Sequence, residues 1–183
     1  MAFCNSTDGD LVRDIFITES EIIDRFVGNQ LWLWGAGCVG RLGNNATADR
    51  SSPVQTVSTG NNWKQVALGC RHSSAIKTDG TLWLWGDGVS GILGNNDTTS
   101  RSSPVQTVST GNNWKQVALG QIFSSAIKTD GTLWLWGCGT FGRLGNNSTI
   151  PHSSPVQTVS TGTNWKQVAL GFYHSAAVTF TDN

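Results

Sequence analysis

Apolar and polar positions alternate in short bursts along this chain, and one order of bursts comes round three times. Leu-Trp-Leu-Trp-Gly begins at Leu31, Leu82 and Leu133, Ser-Ser-Pro-Val-Gln-Thr-Val at Ser51, Ser102 and Ser153, and Trp-Lys-Gln-Val-Ala-Leu-Gly at Trp63, Trp114 and Trp165. The spacing is 51 residues each time. Within one copy the pattern predicts four short strands. Ser73 to Lys77 and Leu82 to Trp85 read as a hairpin about Asp79-Gly80, a pair suited to the positive φ of a tight turn. Val54 to Val57 is a strand opened by Pro53, which has no N–H to give and so suits a strand start or a sheet edge. Lys64 to Leu68 is the fourth, closed by Gly69.

Leu-Trp-Leu-Trp has no polar side. Side chains alternate along a strand, so Leu faces one way and Trp the other. A strand apolar on both faces must be covered on both. Units that bury their faces only against each other, with four strands apiece, predict stacked propeller blades. The expected fold is all-β, with three four-stranded propeller-type blades (31–81, 82–132, 133–183) behind a short N-terminal arm of residues 1–30. All nine tryptophans lie in the repeats, three per copy. Trp32, Trp34, Trp63 and their equivalents are expected to be mostly core between blades rather than a row of sugar-binding rings. Trp83→Ala should then cost about 3–5 kcal/mol.

The patterns Trp-Gly-x-Gly-x-x-Gly-x-Leu-Gly (from Trp34, Trp85 and Trp136), Gly-x-x-His-Ser (from Gly69 and Gly171) and Asp-Gly-Thr-Leu-Trp resemble the regulator of chromosome condensation repeat family. The resemblance covers residues 31–183 and implies a β-propeller. The middle copy departs, with Phe123 where His72 and His174 stand. Some family members are nucleotide exchange factors for a small GTPase. No residue pattern here matches an exchange surface, so the resemblance implies the fold and not that activity. The leader's Ile-Thr-x-x-x-Ile-Ile-Asp, from Ile17, is similar to leaders of repeat proteins of marine bacteriophage, and other family members occur in bacteria and bacteriophage as binding or structural modules.

That leader shares nothing with the repeats. Thr18 to Glu21 forms a capping box, followed by an apolar stretch that Gly28 can end as a short helix. A rival reading makes residues 25–27 a strand that turns at Gly28-Asn29 into Leu31. Leu11, Ile15, Phe16, Ile17, Ile22, Ile23 and Phe26 are the candidate docking residues of this arm.

Copies one and two differ at ten positions, clustered in loops 36–41, 46–49 and 70–72, and copy three changes the same places. A fixed frame with varied loops is how a binding surface is built on a rigid scaffold. Arg41, Arg71, Phe123, Phe141, Arg143, Phe172 and Tyr173 are the candidate surface residues, and the two loop sets are expected to share one rim.

Composition narrows the chemistry. Net charge is zero and only 13% of residues are charged, which leaves no electrostatic footprint for nucleic acid. No apolar run is long enough to span a membrane, and no secretory signal is visible. Cys4, Cys38, Cys70 and Cys138 form no Cys-x-x-Cys pair and share no repeat position, so neither a metal site nor a repeated disulfide is expected. Asn45, Asn96 and Asn147, each in Asn-x-Thr, read as loop residues. His72 and His174 read as structural hydrogen-bonders, and no Ser-His-Asp or paired-carboxylate spacing recurs. No enzyme and no cofactor is expected.

The function expected from these features is a structural or interaction scaffold. It would be a bacteriophage virion component anchored by its N-terminal arm, or else a cytoplasmic binding module that recognises a protein or glycan. Its partners would be a second copy of itself, another structural protein, or both. The Leu31 strand lacks the Ser-Ala-Ile-Lys strand of its hairpin, and the Ser175 strand lacks its Leu-Trp-Leu-Trp. The two orphans complement each other.

Overall fold

A computed structural model describes residues 28–57, 60–108, 111–160 and 162–180. They form twelve strands, β1 (Trp32–Gly35), β2 (Arg50–Gln55), β3 (Trp63–Leu68), β4 (His72–Lys77), β5 (Leu82–Gly86), β6 (Arg101–Gln106), β7 (Trp114–Leu119), β8 (Phe123–Lys128), β9 (Leu133–Gly137), β10 (His152–Gln157), β11 (Trp165–Leu170) and β12 (Ser175–Thr179). The repeat appears as strands, but the sheets cut it in a different frame. β3-β4-β5-β6 and β7-β8-β9-β10 are complete four-stranded antiparallel sheets. β1-β2 is the outer half of a blade, and β11-β12 is the inner half of another. Twelve strands make three blades' worth, divided as two whole blades and two halves.

The hairpin forms as the sequence predicts. Gly80 has φ 79°, and the Asp79 carboxylate accepts from the Thr81 amide (2.9 Å) and hydroxyl (2.7 Å). These bonds, the hydroxyl's first, hold the Asp79 carboxyl below the usual carboxylate range. Asp130 and Thr132 repeat the turn. Pro53, Pro104 and Pro155 sit inside β2, β6 and β10, each the outermost strand of its sheet, where a missing N–H breaks no ladder. Asn45, Asn96 and Asn147 adopt positive φ of 58–60° in the loops that precede these strands, a conformation Asn tolerates.

The core lies between sheets. Ile76, Leu82, Leu84, Ile92 and Leu93 of one blade pack on Trp114, Val117, Ala126 and Trp136 of the next. Ile127, Leu133, Leu135 and Leu144 pack on Val168 in the same way, and Leu33 and Leu42 on Trp63, Ala75 and Trp85. So Leu faces down the stack and Trp85 and Trp136 face up it, both fully buried. The indole N–H of Trp85 donates to Arg41 O and that of Trp136 to Ile92 O, each at 2.9 Å. Gly94 (φ 66°) allows this approach, since a Cβ there would stand 2.7 Å from Trp136 Nε1.

Two expectations need correction. Trp83 is half-buried, with Lys77 over its ring at 4.5 Å and its N–H on Thr81 Oγ1, so Trp85 rather than Trp83 carries the buried packing of that strand. Trp32 and Trp34 are exposed, Trp34 at 63%: among the described residues β1 pairs only with β2, and none packs on Trp34 as Leu33 and Leu42 pack on Trp85. Asn29 O accepts from Trp63 N at 3.2 Å, as Gly80 O and Gly131 O at the two hairpin turns accept from Trp114 N and Trp165 N; the strand 25–27 of the rival leader hairpin lies outside the described residues. The arm's docking residues Leu11 to Phe26 lie outside the described residues.

A candidate protein-binding rim

β3, β7 and β11 are the innermost strands of successive blades. Leu68, Leu119 and Leu170, at their ends, line one recess of about 270 Å³ together with Gly69, Gly120 and Gly171. Equivalent loops of three copies therefore meet around one mouth. The second loop set joins them there. Arg41 donates to Cys70 O at 2.8 Å and to Cys38 O at 3.1 Å. Arg71 pairs with Asp87 at 2.6 Å, and the Asp87 amide donates to Arg71 O. Cys138 N donates to Ile122 O. Loops 36–41 and 70–72 and their equivalents thus share one side of the stack, as expected.

The third copy builds a distinct cluster on this rim. Phe141 is 75% exposed and held at φ 65°, a left-handed conformation that bulky residues rarely take. Its ring meets Tyr173 edge-on at 5.8 Å, and Tyr173 meets Phe172 at 4.7 Å. The Arg143 guanidinium lies 5.3–5.5 Å from the rings of Phe123, Phe141 and Tyr173. It is 5% exposed, donates from Nε to Thr140 O at 2.8 Å, and leaves Nη1 with no hydrogen-bond partner among the described residues.

Of the seven residues singled out from the sequence, Arg41, Arg71, Phe141, Phe172 and Tyr173 reach the surface or its edge. Phe123 does not. It is fully buried among Ile127, Leu133 and Leu144. It varies between copies because His72 and Phe123 fill the same slot between blades and fit it with different chemistry. Arg143 is also beneath the surface, covered by the rings it supports. Asp87 was missed, although the sequence signals it: copy two alone carries an acid at that variable position, and Arg71 stands in the preceding loop.

His72 is structural. Its Nε2 lies 2.9 Å from Ser124 Oγ of the next blade, and that hydroxyl donates to Ile92 O at 2.8 Å. The serine oxygen therefore accepts from Nε2–H. Burial pushes His72 down from 6.5 to about 3, against a smaller upward pull from Asp87. His174 is exposed. Cys38, Cys70 and Cys138 are free thiols. Among the described residues no group of three or more His, Cys, Asp or Glu could hold a metal ion, and no helix is long and apolar enough to cross a membrane.

The sequence model of the Regulator of chromosome condensation (RCC1) repeat matches this chain at residues 29–76, 79–127 and 130–178. The chain is 32% identical over 157 residues to the Arabidopsis thaliana Ultraviolet-B receptor UVR8, covering 84% of this chain and 36% of that protein. It is 33% identical over 175 residues to the human E3 ubiquitin-protein ligase HERC2, covering 92% of this chain and 4% of that one. The crystal structure of Prp20p from Saccharomyces cerevisiae, described with its binding to Gsp1p and histones, superposes with a TM-score of 0.73 at 22% identity. It covers 84% of this chain and 41% of that one. The chain thus spans well under half the length of these relatives.

Proposed function

Since the chain belongs to the regulator of chromosome condensation repeat family, we propose that it is a non-enzymatic, propeller-type interaction module that binds a protein through the rim of loops 36–41, 70–72 and their equivalents. The exposed aromatic cluster of Phe141, Phe172 and Tyr173 around Arg143 carries this reading. Aromatic residues and Arg are the types enriched at protein interfaces and at their energetic centres. The buried Arg143 gives the rings a fixed, preorganised floor. It also sets a positive field beneath them, which favours a partner that offers a carboxylate between apolar side chains.

The relatives support binding over catalysis. One is a receptor, and Prp20p is described with its binding to Gsp1p and histones. HERC2 is named a ligase, but only 4% of it corresponds to this chain. We therefore prefer a cellular protein-binding module to a bacteriophage virion component, a reading that rests on the leader. Its partners are a protein at the rim and a second copy of the chain at the open blade edges.

The test compares the wild-type chain with Phe141→Ser, Phe172→Ser and Tyr173→Ser combined. All three side chains are exposed, so the unfolding midpoint should hardly move. A protein cross-linked to loops 36–41, 70–72, 138–143 or 172–173 of the wild type should be lost, with at least roughly a hundredfold weaker affinity. Undiminished binding in the triple variant, or specific binding to a glycan array in place of a protein, contradicts the reading.

A further inference from the structure

We propose that two copies of this chain complete each other's open blades, and that Trp34 of one copy fills a preformed socket beside Arg143 of the other. The blade edges, not the rim, make this contact, so it goes beyond the rim reading and stands or falls separately.

The socket is recognised from its two filled equivalents. At the first junction Arg41 O accepts the Ser73 hydroxyl (2.8 Å) and the Trp85 indole N–H (2.9 Å), and the ring lies against Gly43. At the second, Ile92 O accepts Ser124 (2.8 Å) and Trp136 (2.9 Å), with Gly94 beneath the ring. At the third, Arg143 O accepts Ser175 (2.7 Å) in the same way. Where the indole would lie there is a recess of about 390 Å³, lined by Leu133, Leu135, Gly145, Trp165, Val168 and Ala177 among others. A Cβ on Gly145 would meet only Thr158 Cγ2, at 3.6 Å, whereas Gly43 and Gly94 each stand against a tryptophan ring. The recess has the shape, the glycine floor and the carbonyl acceptor of a tryptophan site.

The chain also carries the matching strand. Residues 31–35 repeat the sequence of 82–86 and 133–137, and Trp34 is equivalent to Trp85 and Trp136. Transferring the β4–β5 register, in which His72 pairs with Gly86, Ser73 with Trp85 and Ala75 with Trp83, fixes the pairing. His174 meets Gly35, Ser175 meets Trp34 and Ala177 meets Trp32 of the second copy. β11-β12 then joins β1-β2 into one four-stranded blade.

The same contact covers the other exposed apolar residues at both ends. Val117 is 3% exposed because Ile76 of the preceding blade packs in the same cluster, while its equivalent Val66 is 48% exposed. Val178, equivalent to Ile76, is exposed too. In the joined pair Val178 of one copy lies against Val66 of the other. A single contact thus accounts for Trp32, Trp34, Val66 and Val178 and for two strand edges that have no neighbour among the described residues. Each copy brings two whole blades and each junction completes one more, so two copies close a six-bladed ring.

Light scattering on the purified 183-residue chain, over a range of concentrations, should give twice the 19.6 kDa of one copy. Two substitutions leave the single copy intact and break the junction. Trp34→Glu alters a side chain that is exposed in one copy. Gly145→Asn suits the backbone φ of 62°, which Asn tolerates, but places its side chain where the indole must lie. Each variant alone should run at single-chain mass with a cooperative melt. An equal mixture should regain a two-chain species, because Trp34 of the Gly145→Asn chain still fits the socket of the Trp34→Glu chain. Single-chain mass for the wild type at every concentration overturns the proposal. So does a two-chain mass that neither substitution lowers. A mass of three or more copies, lost in both variants, overturns the two-copy ring.

Discussion

Trp136→Ala is expected to destabilise the chain by about 3–5 kcal/mol, while Trp34→Ala in a chain held single by Gly145→Asn changes stability by roughly 0.5 kcal/mol or less. The two residues occupy the same place in the same pentapeptide. Trp136 is fully buried, packs tilted on Trp114 at 6.2 Å and donates its N–H to Ile92 O across the blade interface. Its removal opens a cavity between two sheets and leaves that carbonyl without one of its donors. Trp34 loses only solvent contact. Urea unfolding followed by far-ultraviolet dichroism measures both, with comparison at unchanged slope. Equal losses for the two would mean that burial between blades is not what the tryptophans provide.

Acid should weaken the fold through His72. Its folded value of about 3 lies below the ordinary 6.5, so the unfolded chain binds the extra proton first. The stability that this neutral, buried imidazole represents is complete above pH 6.5. It falls by roughly 1 kcal/mol per pH unit as pH drops from there towards 3. Asp79, Asp97 and Asp130 are held below their usual range and contribute only further down, so the His72 contribution is read between pH 6.5 and about 4.5. His72→Phe should fold, since Phe123 fills the equivalent slot one blade on, and Ser124 keeps its bond to Ile92 O. Its stability should fall less than the wild type's across that window. A slope unchanged by this substitution would place the acid sensitivity elsewhere.

Much of this architecture is written locally. Asp79-Gly80 sets its own turn, proline confines Pro53, Pro104 and Pro155 to strands with a free side, and Leu-Trp-Leu-Trp demands cover on both faces. What stays hidden is decided by neighbours distant in the chain. A periodic sequence carries no mark of where one blade ends, so the frame of sheets, with Trp63 rather than Leu31 opening a blade, follows from pairing alone. Burial is equally contextual, which is why Trp34 and Trp136 share a motif and not an environment. At the rim, variation between copies identifies the right loops but not the depth of each residue. Phe123 and Arg143 vary because an interior slot accepts different packings, and a changing residue at a blade interface looks like a changing residue at a surface.

Each strand owes its stability to the blade edge it faces and not to its own sequence. Hydrogen exchange on the Gly145→Asn chain tests it with an internal control. Residues 31–35, 82–86 and 133–137 have the same five side chains and so nearly the same intrinsic exchange rates. The second and third copies sit between two paired strands, and among the described residues the first pairs on one side only. The amides of 82–86 and 133–137 should exchange at least roughly tenfold more slowly than those of 31–35. Equal protection of the three pentapeptides would contradict the account.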